Sequence, residues 1–441
     1  MTSRPQSFAS RALMTYGSNV GASVLSLGNV LIIARGLDAT GRGQIAFLTT
    51  VALLTSQLAT VGIPQANAYF SGKRPELTRV LATNSVIAGV LTGVLAAGVV
   101  ALLVAIFPKV GGQDVPGNLR WLALATVPVL ILGMSLHGLC VAQYGFRAIN
   151  AAWLVTPVLT VTANGIMLAV GQLTVGRALG SWIVGQTLAT AILGWFLVGH
   201  AKGFGRPDAA LARRAVRFGV QAHAGRVLNQ GNYRADQWIM GALAGSKQLG
   251  IYSVAVAWTE ALFFLPAALS MAQMPDVTRA TPREASRQAA VVFRATTLLT
   301  AVLAVGMIIL APFLATTVFG AEFSPATAQI RVLTLGAFGI VALKVLGQTL
   351  TLQNRPMLET AAIAVTFLGV IGLDFLLIPD HAGMGAAIAS LAGYTAGGVC
   401  IAVIFCRALA VRPRDLIPRA RELVELARLL RRRAARGVTA S

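Results

Sequence analysis

Apolar runs of about 20 residues recur along the whole chain. At about 1.5 Å of rise per residue, each is long enough to cross a hydrocarbon core about 30 Å thick. No other property of the sequence narrows the fold as far. The runs fall at residues 12–34, 44–68, 79–107, 121–142, 152–171, 178–199, 218–243, 250–274, 291–318, 327–351, 359–379 and 385–406. Twelve such spans predict an all-α integral membrane protein with both termini on one side. The balance of residues agrees: 56% are apolar and 12% charged, and the mean hydropathy is +0.73, outside the ordinary soluble range. The first run follows Arg11 and carries no small-residue cleavage site, so it is expected to stay as a span rather than be removed as a signal.

The formal charge is +21. In a soluble protein that would suggest nucleic acid, but here the distribution of the charge points to topology. With the N-terminus inside, the cytoplasmic segments hold about 26 of the 36 Lys and Arg and the outer loops about 7, while Arg226, Arg234 and Lys344 lie within spans. The excess gathers in residues 202–217, 279–294 and the tail. Both termini are therefore expected in the cytoplasm, and nucleic acid is not an expected partner. The outer loops are short, at residues 37–43, 109–118, 173–177, 244–249, 320–325 and 380–383. They leave no room for the acid-bearing outer domain of a membrane glycosyltransferase or polymerase. Cys140, Cys400 and Cys406 sit inside apolar runs with neither disulfide nor metal spacing. No P-loop, HExxH or GxSxG pattern occurs, so no catalytic residue, metal or cofactor is expected.

One span departs from the apolar rule. Over residues 218–243, at roughly 100° per residue, Gly219, His223, Arg226, Gln230, Arg234 and Gln237 fall in one narrow sector, with Asn229, Asn232 and Asp236 beside it. Charges at mid-bilayer cost about 3 kcal/mol each, so this face is expected to line a wet interior and bind something polar. A buried Arg–Asp pair that ties helices together is the structural alternative. The first span carries a matching stripe, Tyr16, Asn19, Ser23, Ser26 and Asn29, which an offset of about 207 residues lays onto His223, Arg226, Gln230, Tyr233 and Asp236. Gly43 and Gly250 obey the same offset, and Arg147 with Arg355 and Gly185-Gln186-Thr187 with Gly393-Tyr394-Thr395 follow it at 208. Six spans return the chain to its starting side, so the halves run parallel about an axis along the membrane normal, a transporter pattern with the substrate site between repeats. The expected division is an N-terminal half at 1–201, a cytoplasmic linker at 202–217, a C-terminal half at 218–406 and a tail at 407–441.

Further polar groups lie at membrane depth. Lys344 joins the candidate substrate-binding set, and Glu260, Asp374 and Asp236 are candidates for ion coupling. His137, alone in the fourth span, reads as a hydrogen-bonded structural residue. From Asp415 to Arg436 an apolar face of Ala420, Leu423, Leu426, Ala427, Leu430 and Ala434 opposes Arg421, Arg428, Arg431, Arg432 and Arg436. That pattern suits a basic helix lying on anionic lipid.

The turn Ala34-Arg35-Gly36-Leu37-Asp38-Ala39-Thr40-Gly41-Arg42-Gly43 resembles the RxLGxxGxG turn of Wzx-type polysaccharide flippases, in the superfamily (MOP) that also holds MATE drug exporters and lipid II flippases. Gly62-Ile63-Pro64 with Ala68-Tyr69-Phe70 is similar in style to the close of that family's second span. Tyr233-Arg234-Ala235-Asp236-Gln237 followed by Gly250-Ile251-Tyr252-Ser253-Val254-Ala255 resembles its seventh-to-eighth span pattern. The resemblance implies a MATE-like fold of two six-helix halves in the bacterial cytoplasmic membrane. It implies a polyprenyl-diphosphate-linked oligosaccharide as substrate, turned from the inner to the outer leaflet by alternating access, and a polysaccharide polymerase as a candidate partner. A cation-coupled MATE-like antiporter is the main alternative, but it would want acids where this span offers two arginines to one aspartate. A membrane enzyme of polysaccharide assembly is the other.

Overall fold

The computed structural model describes residues 8–112, 114–201 and 204–418. The basic tail helix expected up to Arg436 lies, from residue 419 on, outside the described residues. Every regular element among them is helical. In chain order these are α1 (Phe8–Ala59), α2 (Ile63–Lys73), α3 (Thr78–Ile106), α4 (Gly117–Ala125), α5 (Val127–Ala142), α6 (Phe146–Ala169), α7 (Val175–Ala201), α8 (Ala209–Leu243), α9 (Gly245–Arg279), α10 (Pro282–Pro312), α11 (Ala326–Ala342), α12 (Gln348–Leu352) and α13 (Pro356–Ala408).

Eight described segments are long and apolar enough to cross a membrane. Two of them hold a non-helical residue near their middle, Asp38 in α1 and Ala382 in α13. Each arm so formed is at least about 30 Å long at 1.5 Å per residue, enough to cross one bilayer core. Asp38 takes a positive φ of 59° and its carboxylate accepts from the Gly41 N–H at 3.0 Å, the local bond that lets a short acidic side chain tolerate this backbone. In α13 the arms fold back on each other, since a Cβ at Gly393 would meet Val370 at 2.4 Å and one at Gly397 would meet Thr366 at 1.7 Å. α8 and α9, at 35 residues each, also have membrane length, though α8 is far more polar than the other long helices. Together these arms account for the twelve expected spans.

Four spans are less regular than their apolar runs suggest. The second, expected at 44–68, ends at Ala59, and Val61 (φ 47°) and Gly62 (φ 73°) turn the chain before α2. Pro64 in the first turn of α2 has no N–H to continue the earlier helix. The fourth, expected at 121–142, is interrupted at Thr126, again just before a proline, Pro128. The ninth and tenth pass into π-helical stretches at Phe313–Phe319 and Leu343–Gly347. An apolar run hides such breaks because hydropathy does not see backbone hydrogen bonding.

The chain forms two compact units, Met1–Ser253 and Val254–Ser441. In the first, α1 packs on α6 and α8, and α5 packs on α2, α3 and α7. A core of Leu81, Leu136, Leu139, Ile149 and Leu193 fills the space among α3, α5, α6 and α7. Buried polar side chains tie these helices. Asn67 donates to Ser85 Oγ at 2.7 Å and to the Ser135 carbonyl at 3.0 Å, and Gln143 donates to both Ser71 and Thr78 at 2.9 Å. Such bonds are the usual glue between helices in lipid. Two backbone contacts are tighter still. A Cβ on Gly43 would sit 1.7 Å from the Ser246 carbonyl oxygen, and one on Gly250 would sit 1.8 Å from that of Ala39. Near the other end of α8, Gly62 and Gly219 meet in the same way, at 2.1 Å.

In the second unit α11 packs along α13. A Thr281–Glu284 capping box starts α10. Ser270 donates to the Lys344 carbonyl at 2.9 Å, on the π-helical stretch.

Candidate functional site

The first unit carries an open-sided cavity of about 440 Å³, within the range of small-molecule sites. The last turns of α1 bring Leu53 and Gln57 to it, the break at Thr60 and the start of α2 bring Pro64 and Gln65, and α5 contributes Met134 and His137. Trp153 comes from α6, Gln186 and Thr190 from α7, and Arg226 from α8. His137 and Trp153 stack at 5.7 Å between ring centroids with their planes 20° apart. The Arg226 charge acts on the His137 ring. Among the described residues, no acidic side chain lines the cavity. An arginine, three amides, an imidazole and an indole on an otherwise apolar wall suit an anionic ligand that also carries hydroxyls.

The polar face of α8 is divided among several neighbourhoods. His223 bonds the Leu58 carbonyl at 3.2 Å, tying α8 to the last turn of α1. Arg226 lines the cavity wall, and Gln230, one turn on, is half-buried. Arg234 is half-buried and its charge acts on Arg42, which is only 9% exposed. Asp236, 3% exposed, accepts from the Tyr252 hydroxyl at 2.6 Å and from the Gln237 N–H at 2.7 Å. The buried Gln237 side chain accepts from Thr50 at 3.1 Å. The α8 face therefore does two things: around Arg226 it opens to a cavity, and around Asp236 it is tied into the α1–α9 packing.

The matching stripe on α1 is likewise split. Asn19 is exposed and its carbonyl accepts from Ser23 at 2.9 Å. Asn29 accepts from Asn164 at 2.8 Å, whose own oxygen accepts from Ser181 at 3.0 Å, a ladder across α1, α6 and α7. In the second unit, Glu260 is half-buried on α9 and Asp374 is fully buried on α13. Lys344 is half-buried, and its charge acts on Glu359, which Thr351 hydrogen-bonds.

Several cavity residues are not evident from the sequence. Gln57, Gln65 and Trp153 each sit alone in or beside an apolar run, and nothing local pairs them. Gln186 does carry a signal, since it belongs to the repeated Gly185-Gln186-Thr187. His137, read as structural, faces the cavity. Arg42, assigned to an outer loop, is helical and buried, because the chain re-enters a helix directly after Asp38.

Broken membrane-length helices around a cavity with a few polar groups on an apolar wall define a multi-pass membrane protein. Within that class the polysaccharide biosynthesis protein family matches residues 9–275, more than half of the chain, and the chain belongs to that family. The fold is similar to the lipid II flippase MurJ in an inward closed conformation, with a TM-score of 0.75 and 11% identity over 92% of this chain and 89% of that one. It is similar also to an inward-facing multidrug resistance MATE family transporter of the MOP superfamily, with a TM-score of 0.70 and 13% identity over 88% of this chain and 94% of that one. A MATE transporter of Vibrio cholerae matches with a TM-score of 0.61 and 14% identity over 91% of this chain and 97% of that one. At these identities the likeness speaks of the fold alone. No curated protein matches the sequence.

Proposed function

We propose that this transporter turns polyprenyl-diphosphate-linked oligosaccharide from the inner to the outer leaflet of the bacterial cytoplasmic membrane by alternating access. Arg226 and Arg234 serve as the diphosphate grips. The observation that carries the reading is Arg226 in the wall of a cavity rich in amides and lacking any carboxylate among its described lining. A guanidinium binds phosphate oxygens bidentately, and the amides meet sugar hydroxyls as both donors and acceptors. An exporter of organic cations would want an acid in this wall. Membership of the polysaccharide biosynthesis family supports the same substrate class. The driving force need not be an ion gradient. Over a complete cycle the protein's own charges return to their starting places, so only the substrate's charge crosses. Each negative charge moved outward gains about 2.3 kcal/mol per 100 mV of inside-negative potential.

A deletion strain tests the proposal. Lipid-linked oligosaccharide is expected to accumulate on the inner leaflet and to clear when the wild-type chain is restored. Unchanged surface glycan together with altered drug sensitivity would instead favour a MATE-like exporter.

A further inference from the structure

We infer that the stacked Trp153 and His137 rings form a platform for the sugar ring next to the diphosphate, so that the cavity reads the saccharide as well as its phosphate anchor. This rests on the flippase reading above and adds to it a specificity site that the α8 face does not contain. A pyranose presents a face of C–H groups that packs against an aromatic plane and a rim of hydroxyls that must be hydrogen-bonded. Trp153 is 37% exposed and lines the cavity, with one ring face steadied by His137. Around it Gln57, Gln65 and Gln186 arrive from three different helices, each offering a donor and an acceptor. Gln65 Oε1 is buried with no hydrogen-bond partner among the described residues. A buried acceptor left unpaired is costly, and a ligand hydroxyl reaching it would remove that cost. Arg226 shares the cavity with the stack, so one ligand can place phosphate and sugar on the two groups together.

The test uses the full-length protein in detergent and three probes: farnesyl diphosphate and its glucosyl and galactosyl esters. In the wild type a glycosylated probe is expected to bind about tenfold more tightly than farnesyl diphosphate. Trp153→Ala should bring the probes to within about threefold of one another, with the loss falling on the esters more than on farnesyl diphosphate. Trp153→Phe should keep some of the preference, and Gln65→Ala should lose some of it. Arg226→Gln should weaken all three alike. If Trp153→Ala and Gln65→Ala leave the preference intact, or weaken the bare diphosphate as much as its esters, these side chains serve packing and the inference is wrong. Wild-type binding of farnesyl diphosphate with no preference for either ester overturns the platform but leaves the flippase reading standing. Failure of the wild type to bind any of the three overturns both.

Discussion

Arg226 and Arg234 lie two turns apart on α8, about 12 Å of rise, and have different surroundings. Arg226 opens to the cavity, whereas Arg234 is half-buried with the Arg42 guanidinium within electrostatic reach. An arginine at membrane depth costs about 3 kcal/mol against insertion, and an apolar residue of similar volume would serve packing without that cost. Arg226→Ala is therefore expected to cut flipping at least about tenfold at equal protein levels. Arg226→Lys should recover only a fraction, because an ammonium lacks the planar fork. Arg234→Ala should also lose activity, with a larger loss of thermal stability because its site is the more enclosed. The measurement is inner-leaflet accumulation of lipid-linked oligosaccharide in a complemented deletion strain. Full activity of stably inserted Arg226→Gln and Arg234→Gln would reduce both arginines to helix packing.

At the scale of elements, two backbone contacts bracket α8: Gly62 packs against Gly219 in its first half, and just past its end Gly43 of α1 packs against Ser246 and Gly250 of α9. Between Gly219 and Leu243 the helix rises about 36 Å, so the two contacts lie at opposite depths. A transporter that alternates must open these contacts in turn, never both together. Gly250→Ala places a methyl where the Ala39 carbonyl stands, and Gly219→Ala does the same at the Gly62 turn. Each is expected to impair flipping, but they should differ in where they open the cavity. With a reporter at Met134→Cys in the cavity wall, Gly250→Ala should raise labelling by an impermeant maleimide from the outside, and Gly219→Ala should not. Equal labelling in both would mean that the contacts are not gates. The sequence shows Gly43 and Gly250 as a repeat pair because their offset is linear. It does not show Gly62 against Gly219, since that contact depends on the break at Val61 inside an apolar run. The same limit governs the site. The polar face of α8 is legible from its 3.6-residue period, but the opposing wall comes from side chains scattered over several other segments, and no single window holds them together.

At the scale of the whole molecule, contacts within each unit can be set beside the topology expected from charge. In the first unit, the stretch after α7 docks on the start of α3: Thr83 donates to the Gly205 carbonyl at 2.8 Å and Asn84 to that of Asp208 at 2.8 Å. In the second, Gln353 donates to the Val277 carbonyl at 2.8 Å, Arg355 to that of Ala408 at 2.5 Å, and Arg294 to that of Asp415. All of these join segments from the basic set. In the first unit again, Gln44 donates to the Asp114 carbonyl at 2.5 Å and Trp238 to that of Val110 at 3.1 Å, joining segments from the set poor in Lys and Arg. We propose from the positive-inside rule that the basic segments of each unit face the cytoplasm. In a chain freed of Cys140, Cys400 and Cys406, single cysteines replace exposed residues of each set: Arg206→Cys and Arg283→Cys in one, Lys109→Cys and Glu322→Cys in the other. In intact cells an impermeant maleimide is expected to label positions 109 and 322, and to reach 206 and 283 only after permeabilisation. The reverse pattern would invert the protein and the proposed direction of transport. Labelling that differs between positions 206 and 283 would mean an odd number of crossings between them, which α8, the least apolar of the long helices, would have to explain.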